Sequence, residues 1–309
     1  MGGSGGGGGA FVYRKPSELA KLVRKTEDNT AIRAFETVLN KFLGDKLAAA
    51  NSRDVDKVAE RLAEIKDILG DDLDGTVDTL FGGSVAKHTY VDGLSDIDSL
   101  LILDSNYLHS QKPSTLLRKL ERLVSKKMPD AEVTSGKLAV TVRYADGMQL
   151  QLLPAARVDG ELRVPSFRRD GWSGISPEGF QKALTNTNER CNFKLVPTIK
   201  LAKAIIGMLP DDKRLSGYHV ESLAIAAFKD YDGPKVASAM LPAFFERAKD
   251  LVKSPIKDST GQSIHVDGYL GDAGSADRVA ASHLLERIAK RMRNASAHQS
   301  AEQWEALFD

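Results

Sequence analysis

One stretch of the chain indicates both its fold and its chemistry. It reads Phe81-Gly82-Gly83-Ser84, then eleven residues, then Asp96-Ile97-Asp98-Ser99-Leu100-Leu101-Ile102-Leu103. Because side chains alternate along an extended strand, Asp96 and Asp98 are expected on one face while Ile97 enters the core. Two neighbouring carboxylates repel each other, and a hard divalent cation, Mg²⁺ or Mn²⁺, stabilises such a pair. The stretch therefore predicts a metal site with Asp96 and Asp98 as ligands.

The glycines before this pair predict a phosphate site. Gly82 and Gly83 let backbone amides approach a phosphate closely, and Ser84 adds a hydroxyl donor. Together with the metal, these groups would hold a nucleoside triphosphate whose α-phosphate is attacked in line by a 3′-hydroxyl. Taken alone, an Asp-x-Asp or a Gly-Gly-Ser sequence is commonly part of an ordinary turn with no catalytic role. The ordered combination with a helix-length spacer and a buried strand is what favours a catalytic interpretation.

The composition narrows the class of protein. The chain has 309 residues, 42% of them hydrophobic, which is enough for about two domains with a sizeable core. Lys and Arg number 43 against 42 Asp and Glu, a net charge of +1, so a long nucleic acid is not the expected partner. A single cysteine, Cys191, excludes an internal disulfide and fits a reducing cytoplasm. No signal-like leader and no apolar run of about 20 residues is present, so we expect no membrane association.

Hydrophobic periodicity predicts an α+β chain in two parts. The glycine-rich residues 1–9 have the composition of an added flexible linker. One helical face follows at Ile32, Phe35, Leu39 and Phe42, and a second helix is predicted to start near Ser52 and to stop at Gly70. Strands are predicted at 79–81, 99–103, 137–143 and 148–153, a helix at 114–127 and a polar loop at 160–177. Later segments are helical: 177–184, 196–208, 218–228, 235–252 and 275–293. We therefore predict a core at 10–165 and a helical domain at 166–309.

Several motifs resemble the CD-NTase group of the polymerase-β nucleotidyltransferase superfamily, which includes cGAS and bacterial anti-phage (CBASS) oligonucleotide cyclases. They are Gly83-Ser84, Leu94-Ser95-Asp96-Ile97-Asp98, Gln151-Leu152-Leu153-Pro154-Ala155, Pro197-Thr198-Ile199-Lys200-Leu201-Ala202-Lys203 and Leu215-Ser216-Gly217-Tyr218-His219-Val220-Glu221-Ser222. The resemblance implies a nucleotidyltransferase core with a small mixed sheet, a C-terminal helical domain and an active site between them. It also implies synthesis of cyclic di- or trinucleotides from ATP and other nucleoside triphosphates, and accessory or regulatory CBASS proteins as partners.

The resemblance fails at one position that the chemistry needs. The family uses a third acid on a neighbouring strand, here Met148-Gln149-Leu150-Gln151-Leu152. Gln149 and Gln151 share the face where that acid belongs, and the relatives that this chain resembles would carry Glu at 149. An amide binds Mg²⁺ poorly and activates no hydroxyl. Either Gln149 replaces a native glutamate and impairs the enzyme, or Gln is native and another carboxylate serves.

Further candidates for nucleotide binding each have a plain structural alternative. Tyr218 is similar to the family's base-stacking aromatic, or it is a helix-start tyrosine packed between domains. Lys200 and Lys203 are spaced to reach a triphosphate, as is Lys87 after the glycines, although solvated helix lysines are commoner. A hydrolase triad is not predicted from Ser263, His265 and Asp267, because triad residues meet in space and are not close neighbours in sequence. We interpret this segment as a hydrogen-bonded turn near the cleft. The C-terminal Trp304 and Phe308 belong either to a packed end or to a recognition tail.

Three functions remain open at this point. The first is a cyclic oligonucleotide synthase. The second keeps the fold but transfers a nucleotide to an RNA or protein acceptor, with RNA disfavoured by the neutral charge. The third, motivated by the two glutamines, is a non-catalytic module that binds nucleotides or docks a partner.

Overall fold

The computed structural model describes residues 16–50, 55–72, 78–81, 97–105, 111–166, 170–256 and 266–309. Two helices come first, α1 (Pro16–Ala50) and α2 (Val55–Asp72). On α1, Leu39 and Leu43 are buried, but Ile32 is 43% exposed. The predicted apolar face of this helix is therefore wrong at Ile32, whereas Phe35, Leu39 and Phe42 of the same face do pack in the core. Within the described ranges, no helix is long and apolar enough to cross a membrane.

Seven strands of the described chain form one mixed sheet. They are β1 (Asp78–Phe81), β2 (Ile97–Leu103), β3 (Glu132–Ser135), β4 (Val140–Arg143), β5 (Gln149–Val158), β6 (Glu161–Pro165) and β7 (Trp172–Ile175). Their order is β1-β2-β5-β4-β3, with β6 pairing to both β5 and β7. Only β2 and β5 run parallel among these pairs. The prediction of an α+β fold with a small mixed sheet is confirmed.

One face of the sheet is covered by helices. α2 and α3 (Pro113–Lys127) pack on it with leucines and valines at helical spacing. The sheet side of this core includes Leu101 and Leu103 of β2 and Leu150 and Leu152 of β5, all at most 4% exposed. Because side chains alternate along β5, Gln149 and Gln151 lie on the opposite face, where both are half-buried.

The polar loop predicted at 160–177 is wrong, since the segment contains β6 and β7. Asp159 and Gly160 have φ of 51° and 82° and form the tight turn by which β5 reverses into β6. Leu162 and Val164 of β6 are buried against Leu100 and Ala155. The many polar and glycine residues hide these short strands in the sequence, although Asp-Gly between alternating apolar residues is a strong hairpin signal.

The rest of the chain is helical: α4 (Pro177–Arg190), α5 (Leu195–Gly207), α6 (Gly217–Ala227), α7 (Ala237–Leu251), α8 (Ala276–Ala297) and α9 (Ala301–Glu305). Their core also contains Leu39 and Leu43 of α1. Trp304 is fully buried, and Phe308 packs edge-on against Phe42 of α1 with ring centroids 5.6 Å apart. The C-terminal residues therefore form a packed end. The domain boundary near residue 165 stays a prediction.

Candidate active site

The strand that carries Asp98, β2, runs beside β5, the strand of the two glutamines. β2 begins at Ile97, and the parallel register places Asp98 opposite Gln151 and Ile97 opposite Leu150. Asp96 and the side chain of Asp98 lie outside the described part of the chain. The backbone thus brings one member of the predicted metal pair next to a predicted third-acid position. Parallel neighbours of this kind share a face of the sheet.

The other neighbour of the glutamines is β4. Arg143 is the register partner of Gln149, and Thr141 is the partner of Gln151. Arg143 also bonds Glu132 on β3, with Nη1 to Oε2 at 3.1 Å. A carboxylate at position 149 would therefore face a guanidinium across the strands, which favours its charged form. A carboxylate at 151 would face a hydroxyl.

Whether a divalent cation can bind beside Asp98 of β2 and the glutamines of β5 depends on the oxygen donors that these strands offer. Gln149 and Gln151 offer amide oxygens, which are neutral ligands weaker than carboxylate. Among the residues that the structure describes, no group of three or more His, Cys, Asp or Glu side chains is placed to hold a metal. The charge that such an ion needs would therefore have to come from the predicted pair, Asp96 and Asp98, because positions 149 and 151 carry no carboxylate.

Several predicted site residues lie outside the described ranges. They are Gly83, Ser84, Lys87 and Asp96 of the predicted phosphate and metal sites, and Ser263 and His265 of the turn. Their roles stay predictions.

The two lysines of α5 occupy different environments. Lys203 is 4% exposed, and its Nζ lies 2.8 Å from Oε1 of Glu221 on α6, itself 1% exposed. A side chain at Gly217 would come within 3.3 Å of that Nζ, so the glycine allows the ammonium group to sit beneath the start of α6. Lys200 is half-buried, and burial followed by the nearby Lys203 charge lowers its pKa. Lys203 thus forms a buried ion pair with Glu221, and Lys200 lies one turn earlier, where its protonated form is disfavoured.

Tyr218 stands in the first turn of α6. Ser216 caps the helix, because its hydroxyl accepts a hydrogen bond from the backbone N–H of His219. The Tyr218 ring is half-buried and contacts Phe180 of α4, with centroids 4.5 Å apart at an interplanar angle of 40°. The structure therefore places Tyr218 at a helix start against a buried aromatic. Stacking on a nucleotide base stays a prediction.

A buried polar cluster beneath this turn has members that the sequence did not single out. Asp267 is 2% exposed and Arg278 is fully buried, and Arg278 Nη1 donates to Oδ2 of Asp267 at 2.8 Å. The same guanidinium donates to the carbonyl oxygens of Val252, Ser254 and Gly271. Asp267 is therefore anchored deep in the helical core. A single arginine in an amphipathic helix gives no sequence signal for this role, since exposed arginines follow the same pattern.

His219 joins that cluster to α6. Its Nδ1 lies 2.9 Å from the hydroxyl of Tyr269, and its Nε2 lies 4.0 Å from Oδ2 of Asp267. Burial is the main cause that lowers the pKa of His219 to about 4, with Asp267 raising it and Arg278 lowering it. The imidazole is thus neutral near pH 7. The nearby carboxylate favours the proton on Nε2, which leaves Nδ1 to accept a hydrogen bond from Tyr269.

The family of the chain is shown by its sequence. Residues 34–188, half of the chain, match the model of SMODS, the Second Messenger Oligonucleotide or Dinucleotide Synthetase domain. No curated protein matches the sequence.

Solved structures of the same group share the fold. CdnC of E. coli MS115-1 with ATP superposes with a TM-score of 0.62 at 15% identity, covering 90% of this chain and 96% of that one. The CdnC:HORMA-deltaN complex of the same strain gives 0.61 at 15% identity, covering 82% and 90%. Vibrio cholerae DncV, a cyclic AMP-GMP synthase in complex with a linear intermediate, gives 0.60 at 10% identity, covering 96% and 89%. The chain therefore belongs to the SMODS family, the family of the Second Messenger Oligonucleotide or Dinucleotide Synthetase domain.

Proposed function

We propose that this chain makes cyclic di- or trinucleotides from ATP, alone or with a second nucleoside triphosphate, in anti-phage (CBASS) signalling in the bacterial cytoplasm. The observation that carries this proposal is the parallel register of β2 and β5, with Asp98 opposite Gln151. The strand that carries Asp98 runs beside the strand where the third acid of this chemistry belongs.

The residue roles follow from the sequence pattern. The amide of Gly83 and the hydroxyl of Ser84 bind phosphate oxygens, Lys87, Lys200 and Lys203 supply positive charge toward the triphosphate, and the Tyr218 ring stacks on a base. Asp96 and Asp98 hold Mg²⁺ or Mn²⁺. When bound, such ions neutralise the phosphate charge and lower the pKa of an attacking hydroxyl, which is the two-metal chemistry of this superfamily. Lys203 is the weakest of these assignments, because it already pairs with Glu221.

The amides at 149 and 151 determine how active the chain is. A third carboxylate on β5 would hold the cation at the attacking hydroxyl, and an amide lacks the charge to do so. With two glutamines on that face, we expect product formation by this chain to be weak or absent. The same observation favours a second candidate function, a module that binds nucleotides without turnover.

The decisive experiment restores one carboxylate at a time. The protein and its Gln149→Glu and Gln151→Glu variants are incubated with all four ribonucleoside triphosphates and Mg²⁺, and products are resolved by mass spectrometry after phosphatase treatment. We expect Gln149→Glu to raise cyclic product by about 100-fold or more, the usual size of a general-base or metal-ligand effect. Arg143 across the strands should keep the new carboxylate ionised. Gln151→Glu adds the same charge beside Asp98 and serves as the matched control.

The outcomes separate the candidates. Product from Gln149→Glu alone supports a cyclase in which Gln149 replaces the catalytic acid. Equal product from the unmodified protein would mean that another carboxylate serves. ATP binding without product from any variant would contradict the cyclase proposal and favour the binding module, and product that appears only with added RNA or protein would favour an acceptor-dependent transferase.

Regulatory partners are part of the proposal. One CD-NTase of similar fold was solved in complex with a HORMA protein. The assay is therefore repeated with a HORMA-type regulator present. Added regulator should increase the rate for a carboxylate-restored variant if this chain is regulated in that way.

A further inference from the structure

One phenol oxygen bonds the chain on both sides of Tyr218. The backbone N–H of Ser216 donates to the hydroxyl of Tyr269 at 3.1 Å, and that hydroxyl lies 2.9 Å from Nδ1 of His219. Ser216, in turn, caps the helix through the N–H of His219. The turn that carries Tyr218 is thus closed by Tyr269, which lies about fifty residues later in the sequence.

Tyr269 is itself held in place. It lies in a single 3₁₀ turn, Gly268–Leu270, that directly follows Asp267. Asp267 accepts hydrogen bonds from Arg278 and from the backbone N–H of Ile256, both at 2.8 Å. Burial raises the pKa of the Tyr269 hydroxyl to about 12, so it keeps the proton that it donates. The anchor of the Tyr218 turn is therefore tied to the buried ion pair of the helical core.

Ring contacts are made by Tyr218 and by its neighbour His219. Phe180, 1% exposed, contacts the Tyr218 ring, and the ring of Tyr269 packs edge-on against His219 at 5.8 Å and 80°. A side chain that stacks on a ligand binds more tightly when its orientation is set beforehand, because less freedom is lost on binding.

We propose that Tyr269 is a positioning residue for the nucleotide site: its hydroxyl holds residues 216–219 so that the Tyr218 ring is oriented to stack on the base of a bound nucleoside triphosphate. The inference rests on the proposed function only in taking Tyr218 as the residue that contacts the base. It does not require turnover.

The test removes one oxygen atom. Tyr269→Phe deletes the hydroxyl and leaves the ring. The matched control is Tyr231→Phe, which deletes a hydroxyl bonded to the carbonyl of Pro234 beside Phe228, at the other end of α6. Binding of ATP with Mg²⁺ is measured by titration calorimetry, and inorganic tripolyphosphate serves as a probe with charge but no base. Thermal unfolding of each variant is followed in parallel.

We expect Tyr269→Phe to weaken ATP binding by about fivefold, the size of one lost hydrogen bond, and to leave tripolyphosphate binding unchanged. Tyr231→Phe should leave both unchanged. In the Tyr218→Ala background, Tyr269→Phe should weaken ATP binding by less than about twofold. A residue that acts through another has no separate effect once that other residue is removed. If Tyr269→Phe does not fold, His219→Gln removes the other end of the bond and is measured in its place.

Unchanged ATP affinity in Tyr269→Phe, an equal loss for tripolyphosphate, or an additive loss in the Tyr218→Ala background would each overturn the inference. So would a lack of ATP binding by the unmodified protein. If ATP binds with the expected pattern but no variant makes product, the proposed synthase function fails while the inference stands. If cyclic product forms but Tyr269→Phe binds ATP as tightly as the unmodified protein, the synthase function stands and the inference fails.

Discussion

Among single side chains, His219 joins the predicted base-binding turn to the buried ion pair. It is fully buried, and its Nε2 has no hydrogen-bond partner among the residues that the structure describes. The charged groups that face it are Asp267 and Arg278, with the Tyr269 hydroxyl at Nδ1. Because burial, together with the smaller effect of Arg278, outweighs Asp267, the pKa of His219 is lowered and the imidazole is kept neutral.

This arrangement predicts a stability that depends on pH. The pKa of His219 is lowered from 6.5 to about 4 on folding, so between these values the unfolded chain binds more protons, and stability falls as pH is lowered. Urea unfolding at pH 7 and at pH 5 measures the loss. Between pH 7 and pH 5, the His219→Gln variant should lose less unfolding free energy than the unmodified protein. The His283→Gln variant, which changes an exposed histidine, should lose as much as the unmodified protein. An equal pH dependence in all three proteins would contradict this account.

Among the secondary-structure elements, the β5–β6 hairpin is one that the sequence analysis missed, as it missed β3 and β7. Its turn needs a positive φ at Asp159 and Gly160. Asparagine, aspartate and glycine accept that conformation with little strain, and glycine accepts it best. The turn continues β5 into β6 and so closes the small apolar cluster around Leu100 and Leu162.

The turn can be tested by a pair of matched substitutions. Gly160→Ala should lower the free energy of unfolding by about 1 kcal/mol, because a Cβ strains the left-handed conformation. Gly70→Ala makes the same chemical change inside α2, where nothing lies within 4 Å of the added carbon, and should raise stability by about 0.5–1 kcal/mol. Chemical denaturation measures both. A loss at Gly70 as large as that at Gly160 would show that the turn conformation is not the cause.

Across the whole molecule, the first helix belongs to the same apolar core as the last ones. Leu43 of α1 is fully buried in the core that α5, α7 and α9 share, and Phe42 contacts Phe308 near the C-terminus. The chain thus returns to its first described helix after the sheet is complete. A division of the sequence at residue 165 leaves α1 before the boundary, although Leu39 and Leu43 pack with the helices after it.

Leu43→Ala tests this packing. Deleting a fully buried leucine side chain should cost about 2–5 kcal/mol of unfolding free energy, and the loss should appear in the unfolding of the helical core that contains Trp304. Tryptophan fluorescence of Trp304, measured in a Trp172→Phe background, follows that core. Ile32→Ala on the same helix removes a side chain that is 43% exposed and should cost less than about 1 kcal/mol. Similar small losses at both positions would place α1 outside the core.

Local patterns of this chain were sufficient for the fold class, the long helices, the face of Gln149 and Gln151 and the family resemblance, because periodicity and short motifs are properties of neighbouring residues. Four features needed the folded chain: the residue-by-residue register of β2 and β5, the Lys203–Glu221 pair, the burial of Arg278, and Tyr269 as the anchor of the Tyr218 turn. Each of them joins residues far apart in sequence. Such partners are selected by the packing of whole helices and strands, and no local pattern records which distant side chain will meet a buried polar group.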